Sequence, residues 1–72
     1  MYSRIRNLRE DKDMNQTQMA KILNMSQTGY SKYETGENDI PTNILILLAE
    51  FHKTNVDYLL GLTDNPVYYK HI

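Results

Sequence analysis

The 72-residue chain has no cysteine, so neither a disulfide nor a thiolate-held metal can stabilise it. No segment approaches the roughly 20 consecutive apolar residues of a membrane span, and no membrane association is expected. The start, Met1-Tyr2-Ser3-Arg4, leads straight into a charged helical pattern. That is not the apolar stretch of a secretory signal, and a cytoplasmic location is expected. No repeat and no low-complexity segment is present. The chain also lacks the basic excess usual in nucleic-acid-binding domains: 8 Lys and Arg stand against 9 Asp and Glu, a net charge of −1. What remains is 40% apolar residues, enough for one core in a single domain near the lower size limit for unaided folding.

The charge is unevenly distributed. Residues 1–36 hold Arg4, Arg6, Arg9, Lys12, Lys21 and Lys32 against Glu10, Asp11, Asp13 and Glu34, a balance of +2. Residues 37–72 hold Lys53 and Lys70 against Glu37, Asp39, Glu50, Asp57 and Asp64, a balance of −3. Such a domain can turn its first half toward phosphates; a mixed, solvated surface is the plainer alternative.

Helical periodicity dominates and predicts an all-α fold of five helices. The first, near residues 2–12, carries Ile5, Leu8 and Arg9 on one face. Asn15, with Gln18 three residues on, is a capping-box-like start for a second helix to Leu23, with Met19, Ala20 and Leu23 inward. Asn24 can take the left-handed conformation that ends a helix. Ser26 caps a third, residues 27–35, with Tyr30, Tyr33 and Glu34 on its buried face and Gly36 as its stop. Pro41 is expected to open a fourth, to residue 52. Its run Ile44-Leu45-Ile46-Leu47-Leu48-Ala49 is apolar all round, which predicts the most buried helix of the five. A strand there would have no partner strand. Asn55 caps a short fifth helix, residues 56–60, and Gly61 ends it.

Two short capped helices joined by about three residues make a helix-turn-helix of the kind that reads DNA. One helix crosses the backbone, and the next puts its first residues into the major groove. Small Ala20 lets the two cross closely. Gln16 opens the first of the pair, where donors meet phosphates, and is expected to carry mostly sequence-independent affinity. Gln27, Thr28, Ser31 and Lys32 lie at the start and on the exposed face of the second. Gln can bond an adenine bidentately, Thr can touch a thymine methyl, and Lys can reach guanine or phosphate.

The stretch Asn15-Gln16-Thr17-Gln18-Met19-Ala20 through Met25-Ser26-Gln27-Thr28-Gly29-Tyr30-Ser31-Lys32-Tyr33-Glu34-Thr35-Gly36 resembles the Cro and phage-repressor family, also called the XRE type. Asn55-Val56-Asp57-Tyr58-Leu59-Leu60-Gly61-Leu62 resembles that family's fifth helix. The resemblance covers roughly residues 4–62. It implies a lambda-repressor-like domain that binds operator DNA, commonly as a homodimer on a palindrome, in a bacterial or phage setting. By the same resemblance Gln16 corresponds to a phosphate-contacting Gln, Gln27, Thr28 and Lys32 to base-facing positions, and Arg9 and Glu34 to an internal ion pair. Burial argues for the same pair, since both residues fall on otherwise apolar faces. Two departures stand out. Where basic residues often follow the third helix, this chain has Glu37, Asn38 and Asp39, leaving backbone N–H groups and Asn38 for phosphate there. Gly29 lies inside the reading helix at a cost of about 1 kcal/mol relative to Ala, through close approach to DNA or through drift.

No nucleophile has a base placed by sequence and no paired carboxylates occur, so no enzyme is expected. His52 and His71 lack ligand spacing, Met14, Met19 and Met25 read as core fillers, and no metal or cofactor is expected. Residues 1–63 form the DNA-binding domain in this reading and 64–72 a tail. Tyr58, Leu62, Val67, Tyr68, Tyr69 and Ile72 are the candidate dimer contact, with a frayed terminus as the alternative. The competing function is a protein-interaction module of the same fold that does not bind DNA.

Overall fold

The computed structural model describes residues 2–68; Tyr69 and Ile72 of the candidate dimer contact, and His71, lie outside them. The order is α1 (Ser3–Asp11), α2 (Gln16–Ile22), α3 (Gln27–Thr35), α4 (Thr42–His52) and α5 (Val56–Leu59), with no strand among the described residues. The fold is all-α.

Local chemistry sets the boundaries. Asn15 and Gln18 form a reciprocal capping box at α2, and the Ser26 side chain accepts from the Gly29 amide at α3, satisfying N–H groups that a helix start leaves without partners. Asn55 does the same for α5 through the Tyr58 amide. Asn24 at φ 57, Gly36 at φ 85 and Gly61 at φ 78 supply left-handed stops. Asp13 and Lys53, both at φ 55, do so as well, without the glycine or asparagine that would announce it. Pro41 stands one residue outside α4, with extended ψ of 150.

The core gathers Ile5, Met19, Ala20, Leu23, Tyr30, Tyr33, Ile40, Leu48, Ala49 and Leu59. Burying each of the larger side chains contributes about 1.5–3 kcal/mol. Tyr30 and Tyr33 meet edge to face with ring centroids 6.5 Å apart. The apolar run of α4 is covered only in part. Leu48, Ala49 and His52 are buried and Ile44 and Leu45 pack partly, but Ile46 and Leu47 are 38% and 44% exposed. Successive helical residues point about 100° apart, so a continuous apolar run cannot all face one core. No other segment of the described chain covers the far side of α4. The helix is thus buried along one side only.

Beyond α5 the chain folds back as a strap. Arg4 on α1 donates to the carbonyls of Tyr58 and Thr63 and pairs with Asp64 at 2.6 Å. Its guanidinium also lies 4.1 Å from the Tyr58 ring centroid. The Asn55 amide donates to the carbonyls of Asn65 at 2.9 Å and Val67 at 2.7 Å, and the Lys53 ammonium lies over the Tyr68 ring.

Candidate nucleic-acid interface

α2 and α3 are joined by the short segment Leu23–Ser26, which the Asn24 turn and the Ser26 cap make abrupt. Ala20, buried at the crossing, lets the helices approach. Gln27, Thr28 and Lys32 are exposed and Ser31 is half-buried. Residues 27 and 31, and 28 and 32, are four apart, so the four share one side of α3. Tyr30, Tyr33 and Glu34 occupy the opposite, buried side.

Beneath that surface runs a polar chain. Arg9 on α1 donates from Nε to Glu34 Oε2 at 2.7 Å and from Nη2 to Oε1 at 3.0 Å, and Nη1 reaches the Met14 carbonyl at 2.7 Å. The pair is buried, with side-chain exposures of 10% and 3%. Gln16 Nε2 donates to Glu34 Oε1 at 3.0 Å, and Gln27 Nε2 donates to Gln16 Oε1 at 2.7 Å. Four side chains from three helices therefore connect the inside of the domain to the first residue of α3. Burial by itself would raise the Glu34 carboxyl, but hydrogen bonds from Arg9 and Gln16 outweigh it and hold the group below its ordinary range. The Glu34 carboxylate in turn raises the Arg9 guanidinium. Tyr30, whose hydroxyl is buried without a hydrogen bond, has its phenol pushed up by burial and by Glu34.

The structure thus brings Gln16 and Gln27 together and gives Gln16 two protein partners, where the sequence suggested a bare donor at a helix start. It narrows the contribution of the segment after α3. The Asn38 backbone N–H bonds the Lys32 carbonyl at 3.2 Å, closing the helix, and the Glu37 N–H bonds the Thr35 hydroxyl at 3.4 Å, so the Asn38 side chain and the Asp39 N–H are left to reach a phosphate. Gly29 receives a third explanation. A Cβ there would meet the Met25 methyl and the Ser26 hydroxyl, both at 3.1 Å, so the missing side chain makes room for the cap on the protein's own side. Periodicity did not single out Arg6. It is exposed, with only a loose 3.6 Å pair to Glu10, and it lines a cleft of about 380 Å³ with Arg9, Gln16, Glu34 and Thr35. Among the described residues no cluster of His, Asp or Glu suits a metal ion, and no helix is long and apolar enough to cross a membrane.

Two capped helices at this spacing, with a polar outer face on the second, define a helix-turn-helix domain. A family model described as helix-turn-helix matches residues 5–59, and the chain belongs to that family. The resemblance read from Asn15–Gly36 and Asn55–Leu62 is to the same kind of protein. Membership points to a binding domain and not to catalysis. Among curated proteins the chain is similar to an uncharacterized HTH-type transcriptional regulator, YobD, of Bacillus subtilis (strain 168). The two are 36% identical over 67 residues, 92% of this chain and 60% of that relative. The chain therefore spans about three-fifths of the relative's length. No solved structure matches it.

Proposed function

We propose that this chain is a sequence-specific double-stranded DNA-binding transcriptional regulator, acting as a repressor, that reads operator half-sites in the major groove with α3. The observation that carries the reading is the exposed face of Gln27, Thr28, Ser31 and Lys32 on a capped helix within a helix-turn-helix. Gln27, Thr28, Ser31 and Lys32 contact base edges or nearby phosphates. Gln16 keeps one amide hydrogen beyond its bond to Glu34 and gives it to a phosphate, as do the Asn38 side chain and the Arg6 guanidinium. One reading helix covers only a few base pairs, so useful specificity calls for two half-sites and a homodimer on a palindrome. Leu62 and Val67, 73% and 47% exposed, support a dimer contact formed with Tyr58 and Tyr68. Domain 1–63 carries the DNA contact and the following tail the self-association, in a cytoplasmic setting.

One observation favours a second reading. Glu37 and Asp39 are exposed just after α3, where they would repel phosphates, as befits a protein-interaction module of this fold. Titration of duplex DNA across salt concentrations separates the two. A DNA reader making several phosphate contacts loses affinity linearly in log salt, with a slope of about −0.9 per contact. Binding that is absent at low salt contradicts the proposal and favours the interaction module.

A further inference from the structure

The chain Arg9–Glu34–Gln16–Gln27 has a direction. An ionised carboxylate only accepts hydrogen bonds. Glu34, 3% exposed at its side chain and bonded twice by Arg9, therefore requires the nitrogen end of the Gln16 amide at its Oε1. That leaves Gln16 Oε1 as the atom facing α3. An oxygen there accepts only from a donor, so Gln27 must offer its Nε2. With one amide hydrogen engaged, Gln27 turns outward its Oε1 and the other hydrogen. That is one acceptor beside one donor. It matches adenine, which presents an N6 donor and an N7 acceptor, and it mismatches guanine, whose O6 and N7 both accept.

We infer that Glu34 is a positioning residue for base recognition, fixing through Gln16 which amide atoms Gln27 presents to the DNA. The inference rests on the proposed reading of α3 and adds to it the base class at one position and the buried group that selects it. Without the carboxylate, the Gln16 amide can face either way, and so can that of Gln27. Reversed, Gln27 shows two hydrogens outward and suits guanine. A residue that touches no DNA thereby sets specificity, and Gln16 transmits orientation as well as contacting phosphate.

The test compares affinities at fixed salt for duplexes carrying adenine or guanine at the base pair where Gln27→Ala relaxes preference. A well-placed contact corresponds to roughly 5-fold to 150-fold discrimination. Wild type is expected to favour adenine within that range. Glu34→Gln is expected to bring the adenine-to-guanine ratio close to unity while the protein stays bound to both. Should Glu34→Gln fail to fold with Arg9 left buried and unpaired, the double variant Arg9→Met, Glu34→Leu removes the pair as a unit, a change buried ion pairs often tolerate. It too should lose discrimination. A folded variant that keeps the wild-type ratio overturns the inference and leaves Glu34 structural, with the reading of α3 intact. If Gln27→Ala changes preference at no base pair, Gln27 is not a reader, and both the reading and the inference fall.

Discussion

The polar groups of the two halves of the domain are arranged differently. In α1–α3 the buried ones are mostly paired and lead outward: Arg9, Glu34, Gln16 and Gln27 form one connected chain ending on an exposed helix face. In α4 and the corner after it, His52 has both ring nitrogens buried without a hydrogen bond and Thr54 has its hydroxyl so, while Ile46, Leu47, Leu62 and Val67 face solvent. The charge balance differs in the same sense, +2 over residues 1–36 against −3 over 37–72. Specificity can therefore reside in the first half. Satisfied buried networks fix side-chain orientation, which a base-reading surface needs. An unpaired imidazole fixes nothing, but it makes its region sensitive to acid.

The largest expected effect tests the first half. Glu34→Ala leaves a buried Arg9 without its partner and should cost about 3–5 kcal/mol, read as a lowered denaturant midpoint with unchanged slope. Asp57→Ala, at the exposed position of α5, should stay within about 0.5 kcal/mol. Equal midpoints for the two variants would erase the contrast.

The next effect belongs to the second half. Burial, with the Lys12 charge adding to it, lowers the His52 imidazole from 6.5 to about 4. In that interval the unfolded chain binds a proton that the folded chain refuses. Stability is therefore full above pH 6.5 and falls as pH drops toward 4, by about 2–3 kcal/mol in total. Glu34, whose folded carboxyl is depressed, contributes stability that is present above the ordinary carboxyl range and is lost only as pH falls below it. His52→Leu should flatten the melting temperature between pH 6.5 and 4.5. A slope equal to wild type would show that His52 does not titrate as its burial requires.

Part of this was open to a reader of the sequence. Asn15, Ser26 and Asn55 are caps because their short polar side chains reach back to free amides, and the helix they start follows at once. Arg9 and Glu34 were legible because each interrupts an apolar face, and a buried charge needs a partner. The link from Glu34 to Gln16 to Gln27 was not, because hydrogen bonds across 18 and 11 residues leave no periodic trace. The open side of α4 was hidden for the opposite reason. An all-round apolar run says that burial is available without saying how much of the helix the rest of the chain can cover. Arg4, whose partners lie 54 to 60 residues away, read as one more surface charge.

Two smaller effects separate the strap from the DNA-facing helices. Asn55→Ala removes the α5 cap and both bonds to the strap, and should cost about 1–2 kcal/mol. Amide exchange should rise in residues 56–67 and stay unchanged in α2 and α3; faster exchange throughout would mean the halves do not open separately. Arg6→Ala should leave stability unchanged, weaken DNA binding about equally for all sequences, and reduce the salt slope by about 1. An unaltered slope would remove Arg6 from the interface.

The claim on which the rest depends is that α3 reads a DNA half-site. Selection of bound sequences from random duplex DNA at low salt tests it most directly. The expected result is an enriched palindrome whose half-sites lie about one helical turn apart, each with an adenine at the position that Gln27→Ala relaxes. No enrichment over the starting pool would contradict it.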